Sequence, residues 1–150
     1  MRDVIENLSN QHRALTQVAM DLVPLLDGDQ LAEDATAARR CVHSLAGILR
    51  VHLAMEDESF YPSLLEHRDP ELRRKATRYL ADREVIRQRF TEWNDRWRGA
   101  GAIETAAYRF IEQTRAMLRL LGKRMVEQDP SSTPRWSARG RPARSSGAPT

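Results

Sequence analysis

The chain has 150 residues, the size of one ordinary domain, and a compact chain of this length buries roughly 70% of its unfolded surface. Its single cysteine, Cys41, excludes an intrachain disulfide, and its charged N-terminal segment and short apolar runs lead us to expect a cytoplasmic protein without a leader or membrane span. The net charge is +3, but four arginines in residues 130–150 leave 20 bases and 21 acids in residues 1–129. A nucleic-acid-binding surface is therefore not indicated.

Apolar residues recur at steps of three and four through four long segments, and this period predicts α-helices. The first helix is predicted over residues 2–26, where Pro24 kinks or shortens the last turn and residues 27–29 end the helix. Its inward stripe contains Leu8, His12, Leu15, Ala19, Leu22 and Leu26.

The second helix is predicted over residues 32–65, with Pro62 near its end. The spacing places several polar residues among the apolar ones on the inward face of this helix. That face contains Leu45, Leu49, His52, Glu56 and Ser59 or Phe60.

The third helix is predicted to begin at Pro70, with Asp69 as its N-cap, and to end at residues 99–101. The fourth is predicted over residues 103–129, before Pro130. Four helices joined by short turns favour an all-α, up-down-up-down four-helix bundle. The third stripe contains Leu72, Ala76, Tyr79, Arg83, Ile86, Phe90, Trp93 and Trp97, and the fourth contains Ile103, Ala107, Phe110, Thr114, Met117, Leu121, Arg124 and Gln128.

The C-terminal residues 130–150 combine arginine with proline, glycine and serine and contain no acid. Such a composition buries too little apolar surface to fold. We therefore predict a helical domain over residues 1–129 and a disordered basic tail over residues 130–150, which contacts polyanions at most weakly.

Polar residues within the stripes need hydrogen bonds or a metal, because burial without partners is costly. His52 and Glu56 are four residues apart, so an imidazole nitrogen and a carboxylate oxygen can converge on one point; the alternative is a surface ion pair. His43 and His67 are predicted to be surface or structural residues. The polar residues in the stripes are His12, His52, Glu56, Arg83 or Glu84, Arg124 and Gln128.

Two segments, NQHRAL on the first helix and VHLAMEDESFYPSLL on the second, resemble the hemerythrin-like, His-His-Glu cation-binding domains. The second segment is the more specific one, because it combines His52, Glu56, Asp57, an aromatic pair and Pro62. The resemblance covers about residues 5–134 and implies a four-helix bundle with metal ligands in its interior.

The fourth helix of the family ends with a related segment, and RMVEQDPSSTP here aligns with HLAMEDESFYP of the second helix. The family also has two histidines on its third helix, but residues 76–90 contain none, so only His12 and His52 remain of five. The fourth-helix alignment pairs Arg124 with His52, Gln128 with Glu56 and Asp129 with Asp57, and the third helix has Tyr79 with Arg83, or Leu80 with Glu84.

The resemblance implies that an iron ion, or alternatively a zinc ion, is held by some of these side chains. Arginine cannot replace a histidine ligand, because its guanidinium stays protonated and has no lone pair, so an oxygen-carrying di-iron centre is not expected. A single metal remains one alternative, and a metal-free centre in which Arg124 bridges to Glu56 or Asp57 is the other. The candidate metal ligands are His12, His52, Glu56, Glu84 and Asp129.

The leading function implied by the resemblance is a metal-binding protein, stress-related or sensing iron, dioxygen, nitric oxide or redox state. The alternative is a metal-free interaction or regulatory module that uses Trp93, Trp97 and the basic tail for protein partners, although such tryptophans are more often core residues. No nucleophile motif, phosphate-binding loop or CxxC pair is present, so an enzyme is not indicated.

Overall fold

The structure, a computed structural model, describes residues 2–128 and confirms the predicted all-α class. No β-strand occurs within these residues. Asp129 and the predicted tail lie outside the described residues. The helices are α1 (Arg2–Leu22), α2 (Gly28–Glu33), α3 (Thr36–Met55), α4 (Tyr61–Leu65), α5 (Pro70–Arg96), α6 (Ala100–Thr105) and α7 (Ala107–Gln128).

The first predicted helix ends four residues earlier than expected, because α1 is followed by a 3₁₀ turn at Val23–Leu25. Pro24 lies within this turn and has no backbone N–H to continue the α-helical hydrogen bonding. Asp27 then caps the next helix, since its side chain accepts hydrogen bonds from the backbone N–H groups of Asp29 and Gln30. Residues 27–29 therefore start a helix, and the prediction that they end the first one was wrong, because α1 has already ended at Leu22.

The prediction of one continuous helix over residues 32–65 was wrong. This segment forms the end of α2, then α3, a π-helical turn at Glu56–Phe60 and the short α4. The apolar stripe continues through the π-helical turn, which hides this interruption from a periodicity analysis.

The predicted start of α5 is confirmed, because the Asp69 carboxylate accepts a hydrogen bond of 2.9 Å from the Glu71 backbone N–H. The fourth predicted helix is divided into α6 and α7 at Ala106, whose φ of −132° and ψ of 48° leave the helical region. Neither glycine nor proline marks this break in the sequence.

The long helices pack through two apolar clusters. The larger cluster includes Trp93 and Trp97, which are buried, so these tryptophans are core residues and do not form an exposed ridge.

Hydrogen bonds between α5 and α7 show the relative direction of these two helices. Near the end of α5, Trp93 Nε1 donates to Thr114 Oγ1 and Trp97 Nε1 donates to Gln113 Oε1. Near the start of α5, the Tyr79 hydroxyl donates to a backbone carbonyl at the end of α7. These contacts make α5 and α7 antiparallel.

The smaller cluster lies beside the polar residues of the interior. It contains Leu8, Phe60, Tyr61, Leu64, Ala76 and Tyr79. None of the helices in residues 2–128 combines the length and the apolar character that a membrane-spanning segment requires.

Candidate functional site

Four buried polar side chains from four helical segments meet in the interior of the bundle. His12 comes from α1, His52 from α3, Glu56 from the π-helical turn and Arg124 from α7, and Glu56 has no exposed surface. Gln128, at the end of α7, completes the group through hydrogen bonds. We refer to these five residues as the central cluster.

The central cluster contains the predicted pair of His52 and Glu56. His52 Nε2 lies 2.7 Å from Glu56 Oε1. Since a carboxylate oxygen only accepts hydrogen bonds, His52 is the donor in this contact. On the other side of the ring, Nδ1 lies 2.8 Å from Oε1 of Gln11, which fixes the orientation of the imidazole.

The π-helical turn adds Tyr61 to this group, which the sequence did not predict. The Tyr61 backbone N–H bonds to the Glu56 carbonyl, five residues earlier, and this wider turn brings residue i+5 towards the face of residue i. The Tyr61 hydroxyl can therefore donate a hydrogen bond of 3.1 Å to Glu56 Oε2. Pro62, which has no N–H to bond to the Glu58 carbonyl, is the one local sequence signal for this interruption.

Both oxygens of the Glu56 carboxylate accept hydrogen bonds. Oε1 accepts from His52 and from the side-chain amide of Gln128, and Oε2 accepts from Tyr61 and, at 3.4 Å, from Nη2 of Arg124. Burial alone raises the pKa of Glu56, but the hydrogen bond and charge of His52, the charge of Arg124 and the Gln128 hydrogen bond together lower the pKa to about 2. Glu56 is therefore an ionised carboxylate in a buried site.

Arg124 supplies the buried positive charge next to this carboxylate and is only 5% exposed. Its Nη1 donates to the Tyr79 carbonyl at 3.3 Å, and its Nη2 also donates to the Tyr61 hydroxyl. The guanidinium carbon lies 5.6 Å from the ring centres of both tyrosines, so the cation is also stabilised by two aromatic faces. Burial, followed by the charge of Glu56, raises the pKa of Tyr61, which remains a neutral hydrogen-bond donor.

Gln128 connects His12 to Glu56. His12 Nε2 lies 3.1 Å from Gln128 Oε1, while the amide nitrogen of the same side chain donates to Glu56. The rings of His12 and His52 are 5.1 Å apart. An amide thus occupies the space between an imidazole and a carboxylate that could otherwise bind a shared ion.

Asp57, the acid next to Glu56, is also neutralised by arginine. Arg83 Nη1 lies 2.8 Å from its Oδ1, and Arg87 Nη2 lies 2.6 Å from its Oδ2. The hydrogen bond to Asp57 is the largest cause that raises the pKa of Arg87. Two neighbouring acids on the π-helical turn are therefore paired with three arginines from α5 and α7.

Comparison with known proteins identifies the family. The family model of the hemerythrin HHE cation binding domain matches residues 3–127. The chain belongs to this family. The HHE match confirms the resemblance found in the sequence, while no curated protein and no solved structure matches the chain.

The remaining candidate residues of this HHE domain lie elsewhere. Glu84 is 69% exposed, and its Oε1 lies 3.7 Å from Arg83 and 3.5 Å from Arg87, so it is outside the central cluster. Asp129 lies outside the described residues. His43 is exposed, and His67 Nδ1 accepts a hydrogen bond from the Asp69 backbone at the turn before α5.

The donor set of the central cluster does not fit a two-metal HHE centre. Within residues 2–128, no three His, Cys, Asp or Glu side chains are grouped in a way that could hold a metal ion. The Glu56 oxygens accept from four donors, and one of these is a guanidinium, which has no lone pair for a metal. The charge that metal ions would contribute is already supplied by arginine.

Proposed function

We propose that this HHE-family protein is a metal-independent regulatory module, in which Arg124 takes the electrostatic role that metal ions have in cation-binding members. The observation that carries this proposal is the buried contact between the Arg124 guanidinium and the Glu56 carboxylate. A buried carboxylate needs a cation and hydrogen bonds, and Glu56 has both without a metal.

A metal ion and Arg124 would compete for the same carboxylate. Two unit charges 4 Å apart repel each other by about 4 kcal/mol at an effective dielectric constant of about 20, and a divalent ion would be repelled more strongly. Metal binding at Glu56 would therefore require Arg124 to leave its contacts with Tyr61 and Tyr79. This competition supports a metal-independent module rather than an oxygen carrier.

A single iron or zinc ion at His12, His52 and Glu56 is the second candidate. It requires these side chains to rearrange, because within residues 2–128 they are not grouped to hold an ion, but one observation favours it. The 2.8 Å contact between Gln11 and Nδ1 of His52 is the kind of contact that orients metal-ligating imidazoles in proteins. In this candidate the protein senses iron, dioxygen, nitric oxide or redox state through one metal.

Unfolding measurements separate the two candidates. The free energy of unfolding is measured by urea denaturation with EDTA, with excess Zn²⁺, and anaerobically with excess Fe²⁺. For the metal-independent module we expect equal values, whereas a metal at 100 times its Kd would stabilise a binding site by about 2.7 kcal/mol. A stabilisation that disappears in His52→Ala and persists in the control His67→Ala would establish the single-metal candidate instead.

A further inference from the structure

A cleft between α5 and α7 leads from the surface to Arg124. The cleft has a volume of about 240 Å³, and Arg89 and Lys123 line it together with Arg124. Asp82 and Glu127 are the two acids in its wall. Arg124 therefore connects this cleft to the central cluster, where the same side chain contacts Glu56.

One hydrogen-bond donor of Arg124 is not matched by an acceptor. Nη1 of its guanidinium donates to the Tyr79 carbonyl and Nη2 donates to Glu56 and Tyr61, but the buried Nε has no hydrogen-bond partner within the described residues. A buried donor without an acceptor costs about 1–3 kcal/mol. Such a group calls for an ordered water or a ligand.

The charges at the cleft favour a ligand with acceptor oxygens. Arg124 and Lys123 offer only donors, and Arg89 adds a third cation to the wall. Glu127 is partly engaged already, since its Oε1 lies 3.9 Å from Lys123 Nζ. A negatively charged oxygen bound to an arginine N–H forms a short, charge-assisted hydrogen bond.

We propose that this cleft binds a small oxyanion, a carboxylate or a phosphate, with one oxygen on the Nε–H of Arg124. Lys123 and Arg89 balance its charge at the mouth of the cleft. The bound oxyanion competes with Glu56 for the guanidinium, so occupancy of the cleft weakens the contact between Arg124 and Glu56. The proposal rests on the metal-independent role of Arg124 and names the class of ligand to which the module responds.

The test uses the Nε–Hε signal of Arg124 in ¹H–¹⁵N spectra of the full chain, assigned by through-bond correlation to its backbone. Sodium acetate, sodium phosphate and sodium chloride are titrated at equal ionic strength. We expect a saturable shift with acetate or with phosphate, and the salt that produces it identifies the class of oxyanion. Chloride at the same ionic strength gives no saturable shift.

Two variants locate the binding. Lys123→Gln removes a cation from the cleft and weakens binding about fivefold, as expected for one exposed charge contact. Arg119→Gln is the matched control, because Arg119 is exposed on the same helix and does not line the cleft. Its affinity stays that of the wild type.

Two results would overturn this inference: shifts that stay linear and equal for all three salts, or a saturable shift with the same affinity in Lys123→Gln and the wild type. Either result, in a protein that zinc and iron do not stabilise, would leave the metal-independent centre in place. Strong stabilisation by a metal that depends on His52 would instead remove the metal-independent centre itself.

Discussion

Glu56 is the residue on which the central cluster depends. Its carboxylate is fully buried and ionised, so its charge must be balanced inside the protein. Arg124 provides this balance, and His52, Tyr61 and Gln128 complete the hydrogen bonds. Each of these contacts contributes separately to the free energy of unfolding, and substitution of one residue at a time can measure that contribution.

Replacing Arg124 by methionine leaves the carboxylate of Glu56 without its cation. Breaking a buried ion pair from one side costs about 3–5 kcal/mol, and we expect a loss of this size in the free energy of unfolding. Urea denaturation measures it, with the exposed Arg119→Met as control, for which we expect a change within about 0.5 kcal/mol. A second variant, Glu56→Gln with Arg124→Met, should recover part of the loss, and a double variant less stable than either single one would contradict the pairing.

The lowered pKa of Glu56 makes the stability of the centre depend on pH. The pKa of Glu56 is about 2 in the folded protein and 4.5 ordinarily. The ionised carboxylate therefore contributes fully to the free energy of unfolding above pH 4.5, and this contribution is lost as the pH falls towards 2. At about 1.4 kcal/mol for each pH unit, the loss amounts to roughly 3 kcal/mol. We expect the difference in unfolding free energy between wild type and Glu56→Gln to shrink from pH 5 to pH 2.5. A difference that stays constant over this range would show that Glu56 is not held ionised.

At the scale of elements, the π-helical turn brings Glu56 and Tyr61 onto one face and joins α3 to α4. Tyr61→Phe removes one of the donors to Glu56, and we expect the free energy of unfolding to fall by about 1–3 kcal/mol. Tyr108→Phe is the matched control, because Tyr108 is 74% exposed. Equal stability of the two variants in urea would mean that the turn does not place the Tyr61 hydroxyl in contact with Glu56.

The sequence predicted the parts of this fold that depend on local chemistry. Helix-start signals predicted the N-cap at Asp69. A spacing of four residues predicted the contact between His52 and Glu56, and an internal alignment predicted the position of Arg124. The contribution of Tyr61 could not be predicted, because regular helical spacing turns it away from Glu56. The break at Ala106 was missed for a related reason, since the apolar stripe continues through it.

At the scale of the whole molecule, the HHE fold is kept while its charge balance is changed. The resemblance places family histidines on the third and fourth helices, and in this chain α5 and α7 supply arginines instead. Arg83 and Arg87 pair with Asp57, and Arg124 pairs with Glu56. Arginine side chains of the chain itself thus neutralise the two acids of the second-helix motif.

The measurement that tests this account most directly is the iron content of the protein after anaerobic reconstitution. Untagged chain is incubated with excess ferrous iron and desalted, its iron is determined by elemental analysis, and its visible spectrum is recorded before and after exposure to oxygen. We expect iron far below one ion per chain and no visible band that depends on oxygen. One or two tightly held irons per chain, with a spectrum that changes on exposure to oxygen, would contradict the role of Arg124 as the cation of the centre.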